Sequence, residues 1–313
     1  MLAIANAACS VQTEEFNSTE ASGSVHAVLR VRRVEMLDGA AQRTRPQGEA
    51  LAAFVRVPPS VHPDQLLRIA GLWQEHPEVG QCAVASSTVD ATWDEDESGE
   101  LIAAESVDLV TEGNVHALAP HAFPSAYDLL RGVLFSSRDQ SALGLPENQP
   151  YELVGNGIDL SLPATDVRAF SASPKLPTGV RISNRPFEDG SDLPAQAVLD
   201  FSWESETATT DLIVVSIVSD TQHYECSFTD AEGFGSVPLT SSAGQAVWTP
   251  GTSAQIAVHR VREAKVAHPQ FAQLRTSFDF SIEKSWTLSD GTSRATQPQT
   301  DTAGEAHAER PAP

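Results

Sequence analysis

LRTSFDFSI, residues Leu274 to Ile282, is the cleanest two-residue alternation in the chain. Leu274, Thr276, Phe278, Phe280 and Ile282 fall on one side. Arg275, Ser277, Asp279, Ser281 and then Glu283 fall on the other. Successive side chains of a strand point to opposite faces, so this period predicts a β-strand with one apolar and one polar face. The neighbouring sequence reads the same way. Ala254 to Val261, Tyr224 to Phe228 and Val198 to Trp203 alternate, and Asp230 to Gly235 is a turn. LIVVSIV, Leu212 to Val218, is apolar on both faces and predicts a central strand. About seven short strands over ~110 residues is the pattern of a β-sandwich.

The N-terminal half is also strand-rich. Val25 to Leu37 interleaves apolar residues with Arg, Ala41 to Glu49 is a polar loop, and ALAAFVRV, Ala50 to Val57, is stopped by Pro58-Pro59. HPDQLLRIAGLW, His62 to Trp73, predicts one short helix. Pro63 suits its first turn, Leu66, Leu67, Ile69 and Ala70 make its apolar face, and Gly71 suits its end. Gln81 to Trp93, Ser106 to Val110, Val115 to Leu118, Arg131 to Phe135 and Tyr151 to Val154 read as further strands. The expected fold class is mainly β: two β-rich domains, the C-terminal one an Ig-like antiparallel β-sandwich, with one short helix in the N-terminal domain.

The expected boundaries follow composition. Residues 1–9 form an export-signal remnant and 10–24 a polar tether. Residues 25–172 are the first β-rich domain. Pro174, Pro177, Gly179, Pro186, Gly190 and Pro194 punctuate the entry to the sandwich of residues 173–289. The polar, Pro/Thr/Ala-rich residues 290–313 are expected to be disordered.

The chain has 313 residues, 41% of them hydrophobic, enough for substantial cores. No apolar run approaches the ~20 residues of a membrane helix. A net charge of −22 argues against nucleic-acid binding, which needs a cationic face, and against an anionic membrane surface. It suits cations and basic partners.

DEDESGELIAAE, Asp94 to Glu105, matches the ligand spacing of a calcium loop. Asp94, Asp96 and Ser98 take positions 1, 3 and 5, and Gly99 takes position 6, where the turn needs a positive φ. Glu100 would offer its carbonyl, and Glu105 two oxygens, to a hard Ca2+ ion. The flanks read as strands rather than EF-hand helices, and 42 acidic residues make chance acidic loops common. A solvated acidic turn is therefore the competing reading.

MLAIANAACS, Met1 to Ser10, resembles the end of a lipoprotein export signal, with Cys9 as the lipidated residue. It lacks a basic n-region, its apolar run is short, and Asn6 is out of place; an upstream start would supply what is missing. A mildly apolar tail is the plain alternative. Cys82 and Cys226 remain. They either pair in an oxidising compartment or stay as buried thiols, and their places in separate expected domains weigh toward the second.

Catalytic motifs are absent from the sequence. There is no HExxH and no Gly-x-Ser-x-Gly elbow, and the nine histidines are scattered, with His116 and His121 placed on neither a helix nor a strand face. Trp203, Trp248 and Trp286 are expected in the core rather than on a sugar-stacking face.

Several landmarks resemble a family. They are ALAAF, HPDQLLRIAGLW, Cys82, SVDLVTEGNV, LAPHAFPSAYDLLRGVLF and YELVGNG, then LDFSWES, ECSFTDAEGFGSVPL and FDFSIEKSWTL. In layout, Val25 to Leu288 resembles the uncharacterised predicted lipoproteins of myxobacteria and their relatives. The resemblance implies an exported all-β protein, periplasmic or on the envelope surface. It supplies no activity and no site residues. The expected role is non-enzymatic binding or structure at the envelope. The alternatives are an extracytoplasmic hydrolase with a site scattered through the sequence and a calcium-dependent adhesion module. No catalytic residue and no cofactor other than Ca2+ is assigned. Convergent acids, Ser or His in a cleft would favour the hydrolase, and an exposed aromatic strip would favour binding.

Overall fold

The structure is a computed structural model that describes residues 23–37, 47–84, 98–111, 114–123, 129–137, 145, 151–157, 192–193, 198–205, 211–219, 222–240, 247–249, 251–268 and 270–288. The segments 1–9 and 290–313 and the boundary expected at residue 173 lie outside these residues.

The chain is mainly β, with one α-helix among the described residues. Strands β1 (Ser24–Met36) and β2 (Gln47–Val57) form an antiparallel pair that leads into helix α1 (Pro63–Ile69). Seven strands follow: β3 (Cys82–Val84), β4 (Gly99–Leu101), β5 (Ser106–Thr111), β6 (Asn114–Ala122), β7 (Leu130–Arg131), β8 (Val133–Ser136) and β9 (Glu152–Asn156). Next come β10 (Asp192–Leu193), β11 (Val198–Ser202), β12 (Leu212–Ser219), β13 (His223–Thr229) and β14 (Phe234–Pro238). A long hairpin, β15 (Ser253–His268) and β16 (Phe271–Leu288), ends the described fold.

One large sheet has the order β3-β13-β12-β15-β16-β1-β2-β8-β6-β5-β9, and β11 and β14 pair separately. Most pairings are antiparallel, but β1 lies parallel to β16. The expected antiparallel sandwich thus becomes a mixed sheet that is continuous through both halves of the chain.

The alternation of residues 274–282 explains how the halves are joined. Leu274, Phe278 and Phe280 enter a core with Ala27, Leu29, Phe54 and Tyr151. Ile282, Trp286 and Leu288 leave the same face of the same strand and enter a second core with Ile213, Val215 and Ile256. Leu199, Phe201 and Val237, from the β11–β14 ribbon, close that second core. Trp203, Trp248 and Trp286 are all buried in it, as their size predicts. In the first core Phe54 stacks on Phe271 at 5.8 Å and meets Phe135 edge-on at 6.4 Å.

Both hairpin strands outrun their sequence expectation. Charged residues at core-facing positions hid the pattern, and each has a partner. Arg260 pairs with Asp230 at 2.8 Å, and Arg262 with Asp211 through two bonds of 2.6 Å. The Lys284 ammonium lies 4.0 Å from the centre of the Trp286 ring.

The opposite face of β1 and β2 receives α1. Leu66 and Leu67 pack on Val28, Ala53 and Val55. Asp64, in the first helical turn, accepts hydrogen bonds from Arg275 and from Lys265. From α1 a strap of residues 70–81 runs along this face to β3 on the far edge of the sheet. There Cys82 is bonded to Cys226, its register partner on β13. Their places in separate expected domains had weighed toward free thiols; the strap brings the two together across 144 residues of sequence.

Candidate functional site

The polar positions of β16 do not all face open solvent. Asp279 and Glu283 line a cavity of about 220 Å3 formed across five adjacent strands. β1 contributes Arg30 and Arg32, the alternating basic residues of its sequence. β15 contributes Gln255 and His259, β12 Ser216, and β13 His223 and Glu225. Gln74 reaches it from the strap. These residues come together because strand alternation puts every second side chain on one face and the pairing sets their heights. Ser216 is opposite both Glu225 and Ala257, His259 is opposite Ser281, and Arg32 is opposite Asp279.

Three side chains form a continuous hydrogen-bonded row across β12, β15 and β16. His259 Nδ1 lies 2.8 Å from Asp279 Oδ1, and His259 Nε2 lies 3.2 Å from Ser216 Oγ. An ionised carboxylate only accepts, so Asp279 fixes the proton of the neutral imidazole on Nδ1 and leaves Nε2 as an acceptor for the Ser216 hydroxyl. Burial works to lower the His259 pKa, but the Asp279 charge and hydrogen bond reverse this and raise it above its ordinary value. Burial raises Asp279 in turn, and His259 together with the Arg32 and His76 charges more than offsets it, so its carboxyl titrates below the usual range.

Beside this row, Arg32 donates to Glu283 at 2.8 Å and lies 3.9 Å from Asp279. Gln255 donates to the second oxygen of Glu283 at 2.5 Å. Arg32 is 45% exposed and Glu283 only 10%, so the cation stands at the mouth and the carboxylate deeper.

A second cluster surrounds Glu225. Gln74 donates to it at 3.0 Å, and ring nitrogens of His223 and His76 lie 3.0 Å and 3.5 Å away. Burial pushes this carboxyl up, and the hydrogen bonds and charges of the two histidines outweigh that effect and hold it at about 2. Gln74 and His76 belong to the strap, so Glu225 ties the strap to the sheet beside the cavity. The backbone adds bonds from Gly80 N to Ser227 O at 2.7 Å and from Ser227 N to Gln81 O at 3.1 Å.

The residues singled out for calcium do not meet at this cavity. Asp94 and Asp96 lie outside the described residues, as does Cys9. Gly99, Glu100 and Leu101 form β4, held between β2 and β7. Gly99 does not have the positive φ of a calcium-loop glycine. A Cβ there would come within 2.7 Å of both Leu66 and Leu130, so a close approach beneath α1 accounts for it. Glu100 pairs with Arg56 across the strands, and Glu105 packs against Gly157. Among the described residues, no group of three or more His, Cys, Asp or Glu is placed to hold a metal ion. His121, outside every expected strand, lies with His116 within β6, which runs on past the expected end at Leu118.

Ser216, His259 and Glu225 carried no usable signal in the sequence. Ser216 is one polar residue in an apolar run, and it lies 43 residues from its histidine. The Asp279–Glu283 stripe was visible as a polar face, and Arg30 and Arg32 as basic residues interleaved in β1.

No known family model matches the chain, and no curated protein matches it in sequence.

Proposed function

We propose that the protein is an extracytoplasmic binding protein of the bacterial envelope, and that its cleft holds a small polar ligand bearing both a positive and a negative group. The observation that carries this reading is the convergence of two arginines, three carboxylates and two histidines on one cavity of about 220 Å3. Charged groups are expensive to desolvate, and a fold needing only stability would meet apolar residues or closed pairs there. Arg30 and Arg32 suit a ligand carboxylate, while Asp279 and Glu283 suit an ammonium. The cavity is smaller than the ~300–1,000 Å3 of drug-sized sites, which favours a ligand of amino-acid size. The Cys82–Cys226 bond supports an oxidising compartment, and the lipoprotein resemblance supports lipidation at Cys9.

The test is thermal unfolding of the protein against a panel of small amino acids. A ligand at about 100 times its Kd stabilises the native state by about 2.7 kcal/mol. We expect a raised Tm with one or more of the panel, lost in an Arg32→Ala/Glu283→Gln variant. A flat response to the whole panel would overturn the reading.

A hydrolase is the second reading, favoured specifically by the Ser216–His259–Asp279 row.

A further inference from the structure

We propose that Ser216, His259 and Asp279 form a nucleophilic centre that hydrolyses small carboxylic esters held in the cleft. This rests on the cleft being a ligand site. It adds a reaction and a substrate class to that site.

The geometry is that of an activated serine. Both contacts are within hydrogen-bond reach, Oγ to Nε2 at 3.2 Å and Nδ1 to carboxylate at 2.8 Å, and they run in the order nucleophile, base, orienting acid. All three side chains line the same cavity, so a reacting carbon placed there meets the serine oxygen. The arrangement is recognised by geometry and roles, which is why the missing Gly-x-Ser-x-Gly elbow does not forbid it. Here the nucleophile comes from a central strand. The backbone N–H groups of that strand serve the sheet, so the oxyanion must be met by side chains. Arg30, Arg32, Gln74 and Gln255 are donors that line the cavity.

The steps balance. Ser216 Oγ attacks the ester carbon as its proton passes to His259 Nε2, and the carbonyl electrons move to oxygen. Collapse breaks the bond to the alcohol oxygen, which takes the proton from Nε2. Water then attacks the acyl-serine with His259 as base, the Oγ–carbon bond breaks, and the proton returns to Ser216. Ester and water become acid and alcohol. Asp279 is the positioning residue: it holds the ring and stabilises the imidazolium between steps.

His259 must be neutral to act as base, so the rate rises with pH through its raised pKa, above the ordinary value near 6.5. The groups around it bear on that limb. They are Asp279 and Glu283 from β16, Arg30 and Arg32 from β1, and Glu225 and His223 from β13. His76 joins them from the strap.

The experiment has two arms on the purified chain. One treats it with a small-alkyl fluorophosphonate and maps the adduct by mass spectrometry. The other measures hydrolysis of p-nitrophenyl acetate against pH. The expected result is a single adduct on Ser216, absent in Ser216→Ala and kept in Ser236→Ala, with hydrolysis lowered at least ~100-fold by the first variant. Asp279→Asn should lower the rate and move the pH limb downward, a shift that a purely structural residue would not give. No adduct on Ser216, or hydrolysis unchanged in Ser216→Ala, overturns the proposal. Amino-acid binding without an adduct leaves the binding reading standing and removes the hydrolase. An adduct without amino-acid binding does the reverse.

Discussion

His259 and Arg260 are adjacent in β15 and point to opposite faces of one sheet, and their surroundings differ in a way that separates structure from function. Arg260 is 1% exposed and its partner Asp230 is 0% exposed. Arg260 also donates to the Glu204 carbonyl at 2.6 Å, and Trp203 Nε1 donates to the Asp230 carbonyl at 2.8 Å. Two positions on, Arg262 meets Asp211 with a two-bond fork. Arg260 and Asp230 are matched and shut away, and Arg262 is matched by a fully buried Asp211. On the other face His259, Asp279, Glu283 and Arg32 are also bonded, yet their side chains still border a cavity. The lesson is that ion pairs in one strand serve two ends: sealed pairs fix the end of a core, and cavity-facing groups can exchange partners with a ligand.

Three variants probe that contrast, beginning with the largest effect. Asp230→Ala leaves Arg260 charged and buried without its carboxylate, and removing one member of such a pair typically costs about 3–5 kcal/mol. Urea unfolding should show that loss. A change under ~1 kcal/mol would mean the face is not sealed. Replacing Cys82 and Cys226 by Ser should cost about 2–4 kcal/mol. It should also loosen the strap that carries Gln74 and His76 to the cleft, which hydrogen exchange at residues 74–81 would report. Unchanged exchange there would separate the disulfide from the strap.

The third variant concerns acid. The folded-state pKa of Glu225 is depressed to about 2, so its contribution to stability is present above the unfolded value near 4.5. That contribution is lost as pH falls from about 4.5 toward 2, and it amounts to at most about 3 kcal/mol. Glu225→Gln should flatten this part of the stability-versus-pH curve. An unchanged slope would mean that the histidines do not hold the carboxylate.

How much of this was legible depended on sequence distance. The alternation of residues 274–282 showed both faces of β16, and α1 was legible from Pro63, Leu66 and Leu67. The fate of each face was not, because one face of β16 feeds two cores and the other passes beneath a strap anchored far along the chain. Arg260, Arg262 and Lys284 stand at core-facing positions, so the apolar pattern stopped short of the strand ends. At Gly99 the calcium-loop spacing and the packing against Leu66 and Leu130 both select glycine, so the residue type alone did not reveal the strand. The Ser216–His259–Asp279 row is wholly non-local, built by two strand pairings that no short window contains.

The most direct test of the central claim is a side-chain NMR titration with the amino acids that raise Tm. The account predicts shifts at His259, Gln74, Gln255 and the Arg32 guanidinium, with the Arg260 and Arg262 guanidinium signals unmoved. Equal movement on both faces, or none at the cleft, would contradict it.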